Sequence, residues 1–437
     1  MSSAPVVQPA SLLPPDARAE LLRAPRPRTS LPLFMPLKQR LPLADRARER
    51  DEQARPTYAV WEITLQCDLA CRHCGSRAGH ARPDELSTAE CLDLVRQMAE
   101  LGVMEVTLIG GEAYLREDWL EIVRAIRDHG MTCSMTSGGR GFTLARARAA
   151  KAAGLAGVSI SVDGSQETHD RLRGVKGSHT SAFQAMRNAR EVGLPVSSNT
   201  QINRLSMHEL PLVLESIIAH GAHSWQLQMT VAMGRAVDEP EVLLQPYDLV
   251  SLFPLLDQLK SRCDEAGVKL WPGNNLGYFG PYEHRLRGNL PRGHGGSCGA
   301  GRSTLGIEAD GSIKGCPSLP SDAWVGGNVR ATSLRDIWQR ATPLRYTRDR
   351  TQADLWGYCG QCYYADVCRA GCTWTGFVLF GKPGNNPYCH HRALEHQSQG
   401  LREWVVRSAP APNLPFDHGT FELIVEPLPT PPETSSP

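Results

Sequence analysis

The sequence predicts an α/β fold: a partial, open (β/α)6 barrel of the TIM-like kind, followed by a small cysteine-rich α+β module. Three observations carry that expectation. From Tyr58 onward a short β-prone run, a loop and a helix-periodic stretch recur six times. Glycine punctuates the ends of the helical stretches, at Gly102, Gly130, Gly154, Gly193 and Gly221. Ten of the 13 cysteines fall into two groups, one of three early in the repeat and one of seven after it.

The expected strands are 58–65, 103–109, 131–136, 157–162, 195–201 and 223–230, with helices near 88–101, 117–129, 143–153, 180–192 and 206–220. Recurring βα units favour a parallel sheet, and six fall short of the eight that close a full barrel. An open barrel leaves one side accessible to a large substrate. The expected organisation is a flexible, Pro- and Arg-rich arm over 1–55, with one short helix around Asp16 to Leu22. The barrel over 56–245, a linking region over 246–297, the cysteine-rich module over 298–395 and a tail over 396–437 follow.

Composition narrows the function. Lys and Arg number 47 against 46 Asp and Glu, a net charge of +1, which gives no electrostatic reason to expect a nucleic-acid partner. No run of apolar residues is long enough to span a membrane, and Leu31 to Leu37 is broken by Pro32 and Pro36. A cytoplasmic location is expected, and in a reducing compartment clustered cysteines serve metal or redox chemistry more often than disulfides. Cys91, Cys133 and Cys263 stand outside both groups and are expected to be packing residues.

In parallel α/β folds the functional loops lie beyond the C-terminal ends of the strands. Here those positions hold the first cysteine loop, Gly110-Gly111-Glu112, Thr136-Ser137-Gly138-Gly139, Ser161 to Gly164, Asn199 to Asn203, and Gly234-Arg235. Cys67, Cys71 and Cys74 place three thiolates on one loop, a donor set suited to the soft iron of a cluster. A four-iron cluster held by three cysteines leaves one iron open to a small molecule with an amine and a carboxylate. On these residues alone, half of a zinc site completed by His73 or His80 is the alternative.

Cys-x3-Cys-x2-Cys after a first barrel strand resembles the signature of radical S-adenosylmethionine (SAM) enzymes. The resemblance implies that a [4Fe-4S] cluster on Cys67, Cys71 and Cys74 binds SAM. It further implies that Gly110, Gly111 and Glu112 hold the methionine ammonium. Ser159, Ser161 and Asp163 match positions contacting the ribose or carboxylate, and Arg235 a position near the carboxylate. One departure is His73, where the family usually has an aromatic residue before the third cysteine; an imidazole can still pack on adenine.

Cys298, Gly311 and Cys316, then Cys359, Cys362, Cys368, Cys372 and Cys389, resemble the SPASM extension of the same family. Zinc knuckles are the alternative on the residues alone. The resemblance implies two auxiliary iron–sulfur clusters with crossed ligands: Cys359, Cys362, Cys368 and Cys389 for the distal one, and Cys298, Cys316 and Cys372 for the nearer. The nearer then has an open iron, a non-cysteine ligand such as His294, or a smaller cluster.

Such enzymes reduce SAM to methionine and a 5′-deoxyadenosyl radical, which abstracts hydrogen from the substrate. The implied function is oxidative modification or cross-linking of a ribosomally made precursor peptide. A low-potential electron donor and a separate peptide-recognition protein are the implied partners. Heme-propionate modification is one alternative and a non-catalytic iron–sulfur or zinc scaffold another. No general acid, base or radical relay residue is singled out; Tyr114, Trp225, Tyr278 and Tyr282 read equally well as packing.

Overall fold

The computed structural model describes residues 43–288, 290 and 294–429. Its main feature is a 10-stranded sheet in the order β10-β9-β8-β1-β2-β3-β4-β5-β6-β7. Strands β1 (Tyr58–Glu62), β2 (Glu105–Ile109), β3 (Thr132–Ser137), β4 (Gly157–Ser161), β5 (Val196–Ile202) and β6 (Ser224–Met229) are parallel neighbours in chain order, as the repeat predicts.

Helices wrap one face. Thr88–Leu101 buries Cys91, Leu94, Val95, Met98 and Leu101, and Trp119–Asp128 buries Trp119, Ile122, Val123 and Ile126. Both sets follow the helical period and pack on Ala59, Trp61, Val106, Leu108 and Cys133 of the strands. Ser87 and Glu90 form a capping box at the start of the first of these helices. The five glycines expected at helix ends all have positive φ. Cys91, Cys133 and Cys263 are buried in the main core.

The other strand face is polar. Strands alternate, so Thr136, Ser159, Asn199, Gln201 and Gln228 share the side opposite the helices and are half-buried. That face is the lumen of the open barrel.

Four features go beyond the sequence expectation. The linking region adds a seventh parallel strand, β7 (Lys269–Pro272), after the helix Leu249–Glu265; four residues ending on proline show no alternation to read. A polar helix, Gln166–Arg173, follows β4; with His169, Leu172 and Arg173 as its only buried residues, it lacks apolar periodicity. The cysteine-rich module is joined to the barrel sheet: β8 (Thr304–Ile307) pairs parallel with β1, and β9 (Ser312–Lys314) and β10 (Gly327–Asn328) continue antiparallel from it. The stretch expected as a C-terminal tail forms an antiparallel hairpin, β11 (Leu401–Ala409) with β12 (Thr420–Pro427). Gly400 and the alternation in Thr420 to Val425 are the signals that mark it.

Most of the N-terminal arm, including the helix expected at Asp16 to Leu22, lies outside the described residues. The described part, from residue 43, is docked rather than free. Trp338 Nε1 donates to the Ala54 carbonyl, and Ala44 exchanges hydrogen bonds with Arg340. Asp51 is fully buried among Arg48, Arg345 and Arg348. Burial alone would raise its pKa, but hydrogen bonds from Arg48 and Arg348 and the charge of Arg345 hold it below its ordinary value of 3.8. The stabilisation is therefore complete above that value and is lost as the pH falls through the depressed one. Asp51→Asn is expected to cost about 3 kcal/mol and to expose residues 43–55 to limited proteolysis at neutral pH, with wild-type protein showing the same cleavage only in acid.

Candidate active site

The first cysteine loop leaves the C-terminal end of β1 and is clamped from three sides. Ala70 and Arg72 donate backbone hydrogen bonds to the carbonyls of Arg173 and Leu172, at the end of helix Gln166–Arg173. Cys67 N–H donates to Gly79 O at 3.1 Å, closing the loop on itself. Arg235 N–H donates to Cys74 O at 3.0 Å, while its guanidinium donates to Cys71 O at 2.6 Å and Ala78 O at 3.1 Å. Arg235 is thus committed to the loop's own carbonyls. Glycine at 234 is required by contact: its φ is +60° and a Cβ there would lie 2.3 Å from Cys74 O.

The loop brings its thiols together. Burial pushes the Cys67 thiol up to about 12, with Glu112, Cys71 and Cys74 adding to the rise. Burial likewise pushes Cys71 up to about 11, opposed by Arg173, whose Nη1 lies 3.8 Å from Cys71 Sγ. Thiols held this way are poor acids unless a metal cation draws off the proton, which is the behaviour of a cluster ligand before loading.

Gly110 and Gly111 lie backbone to backbone against the start of the loop. A Cβ on Gly110 would stand 2.2 Å from Thr64 O, and one on Gly111 2.1 Å from Gln66 O. Glu112 follows, 2% exposed, accepting from Ser137 Oγ at 2.8 Å and from Gly138 N–H. Among the described residues no basic side chain forms an ion pair with it, and burial pushes its carboxyl up to about 7. A buried carboxylate with hydrogen bonds and the charge of Arg173 nearby, but no ion-pair partner among the described residues, suits a small cationic ligand such as an ammonium. The donor chemistry of the loop and this carboxylate fit a cluster with SAM bound beside it.

At the end of β4 the expectations divide. Ser161 Oγ donates to Asn199 Oδ1 at 2.8 Å and Ser159 sits on the lumen face. Asp163 is fully buried and already occupied. Its Oδ1 accepts from Gln201 N–H at 2.9 Å, and its Oδ2 lies 2.7 Å from Arg173 and 3.2 Å from His73 Nε2. Burial would raise its pKa, but Arg173 and then His73 take it far below the usual carboxylate range. Asp163 therefore anchors Arg173 and His73 at the cysteine loop. Sequence reading missed Arg173; a guanidinium on a polar, aperiodic helix gave no signal of burial.

The later cysteines form two neighbourhoods. In one, Cys359 adds to the burial that raises Cys362, Cys389, Cys359 and Cys362 add to that of Cys368, and Cys359 and Cys362 add to that of Cys389. In the other, Cys298 and Cys372 add to the burial that raises the Cys316 thiol, and Cys298 adds to the burial that raises Cys372. Tyr278, from the linking region, lies between the two. Its hydroxyl accepts from Cys372 N–H at 2.9 Å, and its carbonyl accepts from Cys389 Sγ at 3.5 Å. His294 packs on Phe279, which stacks on Tyr364 beside Cys362. Trp374, two residues past Cys372, donates to Met233 Sδ at 3.2 Å, next to Gly234.

Comparison with known proteins agrees with this geometry. Residues 61–211 match the Radical SAM superfamily, and residues 298–363 match SPASM, an iron–sulfur cluster-binding domain. The chain is 29% identical over 368 residues to the AdoMet-dependent heme synthase of Nitratidesulfovibrio vulgaris, covering 78% of this chain and 94% of that one. It is 28% identical over 385 residues to the mycofactocin maturase MftC of Mycobacterium tuberculosis, covering 86% and 91%. In fold it is similar to SuiB of Streptococcus suis, solved bound to S-adenosylmethionine, with a TM-score of 0.59 at 15% identity over 77% of this chain and 76% of that one. A loop of three cysteines beside a buried carboxylate without an ion pair, on a parallel partial barrel whose sheet is continued by a cysteine-rich module, is thus accounted for: the chain is a radical SAM enzyme with a SPASM domain, and its cofactors are iron–sulfur clusters and S-adenosylmethionine.

Proposed function

We propose that this enzyme cleaves SAM reductively at a cluster on Cys67, Cys71 and Cys74 and uses the resulting radical to modify a ribosomally made peptide oxidatively. The observation that carries the cofactor assignment is Glu112, a buried carboxylate with no ion-pair partner among the described residues, set against the loop that bears the three thiols. A reduced cluster supplies one low-potential electron, splitting the sulfonium into methionine and a 5′-deoxyadenosyl radical that removes a hydrogen atom from the substrate.

The protein's part is to bind and to position. Glu112 receives the methionine ammonium, and the bare backbone of Gly110 and Gly111 lets that segment pack directly on the start of the cysteine loop. Arg173, fixed by Asp163, holds a positive charge near Cys71 Sγ and favours its thiolate. Arg235 ties the Cys71 and Ala78 carbonyls of the loop together. Cys359, Cys362, Cys368 and Cys389 hold one auxiliary cluster and Cys298, Cys316 and Cys372 the other, giving electrons left on the product a place to go. A low-potential donor in the cytoplasm supplies the reducing equivalents.

A peptide is favoured by the lumen. Its Ser, Thr, Asn and Gln side chains suit a chain rich in amide groups better than a flat apolar macrocycle. The similarity to a mycofactocin maturase over 86% of this chain supports the same reading. The similarity to a heme synthase keeps tetrapyrrole-propionate chemistry as the second reading.

Three outcomes are expected. Replacing Cys67, Cys71 and Cys74 together by Ala removes about four irons per chain, measured by iron assay, and abolishes 5′-deoxyadenosine formation while the auxiliary clusters persist. Glu112→Gln raises the KM for SAM about 10- to 100-fold, measured from steady-state 5′-deoxyadenosine release, with iron content unchanged. A perdeuterated peptide from a short reading frame beside the gene delivers deuterium to 5′-deoxyadenosine, read by mass spectrometry; label arriving only from a propionate-deuterated tetrapyrrole would establish the heme-type reading instead.

A further inference from the structure

The tip of the C-terminal hairpin, residues 410–419, lies outside both matched domains yet reaches the first cysteine loop. Asp417 is 7% exposed; its Oδ1 accepts from Arg77 Nε at 2.7 Å and its carbonyl accepts from Gly234 N–H at 2.8 Å. Arg77 stands three residues after Cys74. It also donates to Gly234 O at 3.0 Å and pairs with Asp238 at 2.6 Å. One guanidinium therefore joins the cysteine loop, the segment after β6 and the hairpin. Arg407, on β11, donates to Val237 O and tethers the base of the hairpin to the same segment.

The contact is strained on both sides. Arg77 and Phe416 are non-glycine residues with φ of 52° and 57°, a conformation that persists only where surrounding contacts enforce it. The Phe416 ring is 6% exposed and lies 3.8 Å from Lys314 Nζ and 5.9 Å from Arg82, over the buried charges at the ends of β1 and β8. The tip thus touches the residues after β1, the segment after β6 and Lys314 of β9, beside the point where Arg235 N–H holds the carbonyl of Cys74.

We infer that the hairpin tip is a working part of the cofactor site, with Asp417 a positioning residue that sets the downstream arm of the cysteine loop, 74–79, for SAM binding. This rests on the cofactor assignment proposed above. Without the Asp417 carboxylate, Arg77 keeps Asp238, but the arm 74–79 loses its charged tie to the hairpin. The strained turn at Arg77 then relaxes, and Cys74 and Arg235 shift with it.

The test uses full-length, anaerobically reconstituted protein carrying Asp417→Asn, with Asp417→Glu as the conservative control. Deuterium exchange of the peptide spanning 74–80 is expected to quicken in Asp417→Asn and to return to the wild-type rate in Asp417→Glu. In electron paramagnetic resonance titrations of the reduced first cluster, the SAM concentration giving the half-maximal spectral change should rise about tenfold in Asp417→Asn, with iron content unchanged and with recovery in Asp417→Glu. Unaltered exchange and an unaltered titration overturn the inference. So does a lowered thermal midpoint with an unaltered titration, which marks a purely structural contact. Wild-type protein lacking any spectral response to SAM would defeat the cofactor reading instead, and the exchange measurement would then decide by itself whether the hairpin holds the loop.

Discussion

The buried pair of Asp163 and Arg173 organises the rest of the site. Asp163 closes β4, and Arg173 closes the helix that follows it, so a 2.7 Å contact fixes that helix end against the barrel. The same helix end supplies the Arg173 and Leu172 carbonyls that accept from Ala70 and Arg72. The shape of the cysteine loop is therefore set largely by a charge pair on a different strand. Desolvating two ions is expensive, and a buried pair seldom adds much net stability. What it does provide is a fixed geometry: the guanidinium is held near Cys71 Sγ and the carboxylate near His73.

A second group of buried charges joins the barrel to the cysteine-rich domain. Lys314 on β9 is fully buried and lies 2.7 Å from Glu308, and Arg82 reaches both Glu308 and Glu62. Burial and the neighbouring Glu308 raise the pKa of Glu62, while Lys314 and Arg82 hold Glu308 low despite its own burial. Four groups from β1, the cysteine loop's exit and the β8–β9 hairpin thus share one interior, capped by Phe416. Together with the pairing of β8 on β1, this makes the two matched domains one continuous sheet with a common charged seam. It also explains how cysteine groups far apart in sequence keep a fixed relation to the first loop, with Met233 and Tyr278 packed between them.

The chain closes on itself at that seam. The segment from residue 43 docks on the helices Leu334–Arg340 and Thr342–Asp349 through Asp51 and Trp338. The C-terminal hairpin is held to the preceding helix, His390–Ser398, by the buried Arg392–Glu403 pair. From there its tip reaches the residues after β1 and the segment after β6. Regions that carry no cysteine therefore build much of the wall around those that do.

Six strands, their order and the helices between them were legible because apolar periodicity and glycine stops are local properties of the chain. The metal-binding character of the cysteines was legible too, since thiolates at two- and three-residue spacings on one loop specify soft-metal chemistry wherever the loop is placed. Local pattern was silent on polar segments whose burial depends on distant partners: the helix carrying Arg173, the four-residue β7, and the contact of Asp417 with Arg77. It also gave no sign that Asp163 and Arg235, expected as cofactor contacts, hold hydrogen bonds and ion pairs within the protein. Burial and charge pairing are properties of two segments at once, so only the tertiary structure could decide which polar groups remain free for a ligand and which are consumed in holding the loop.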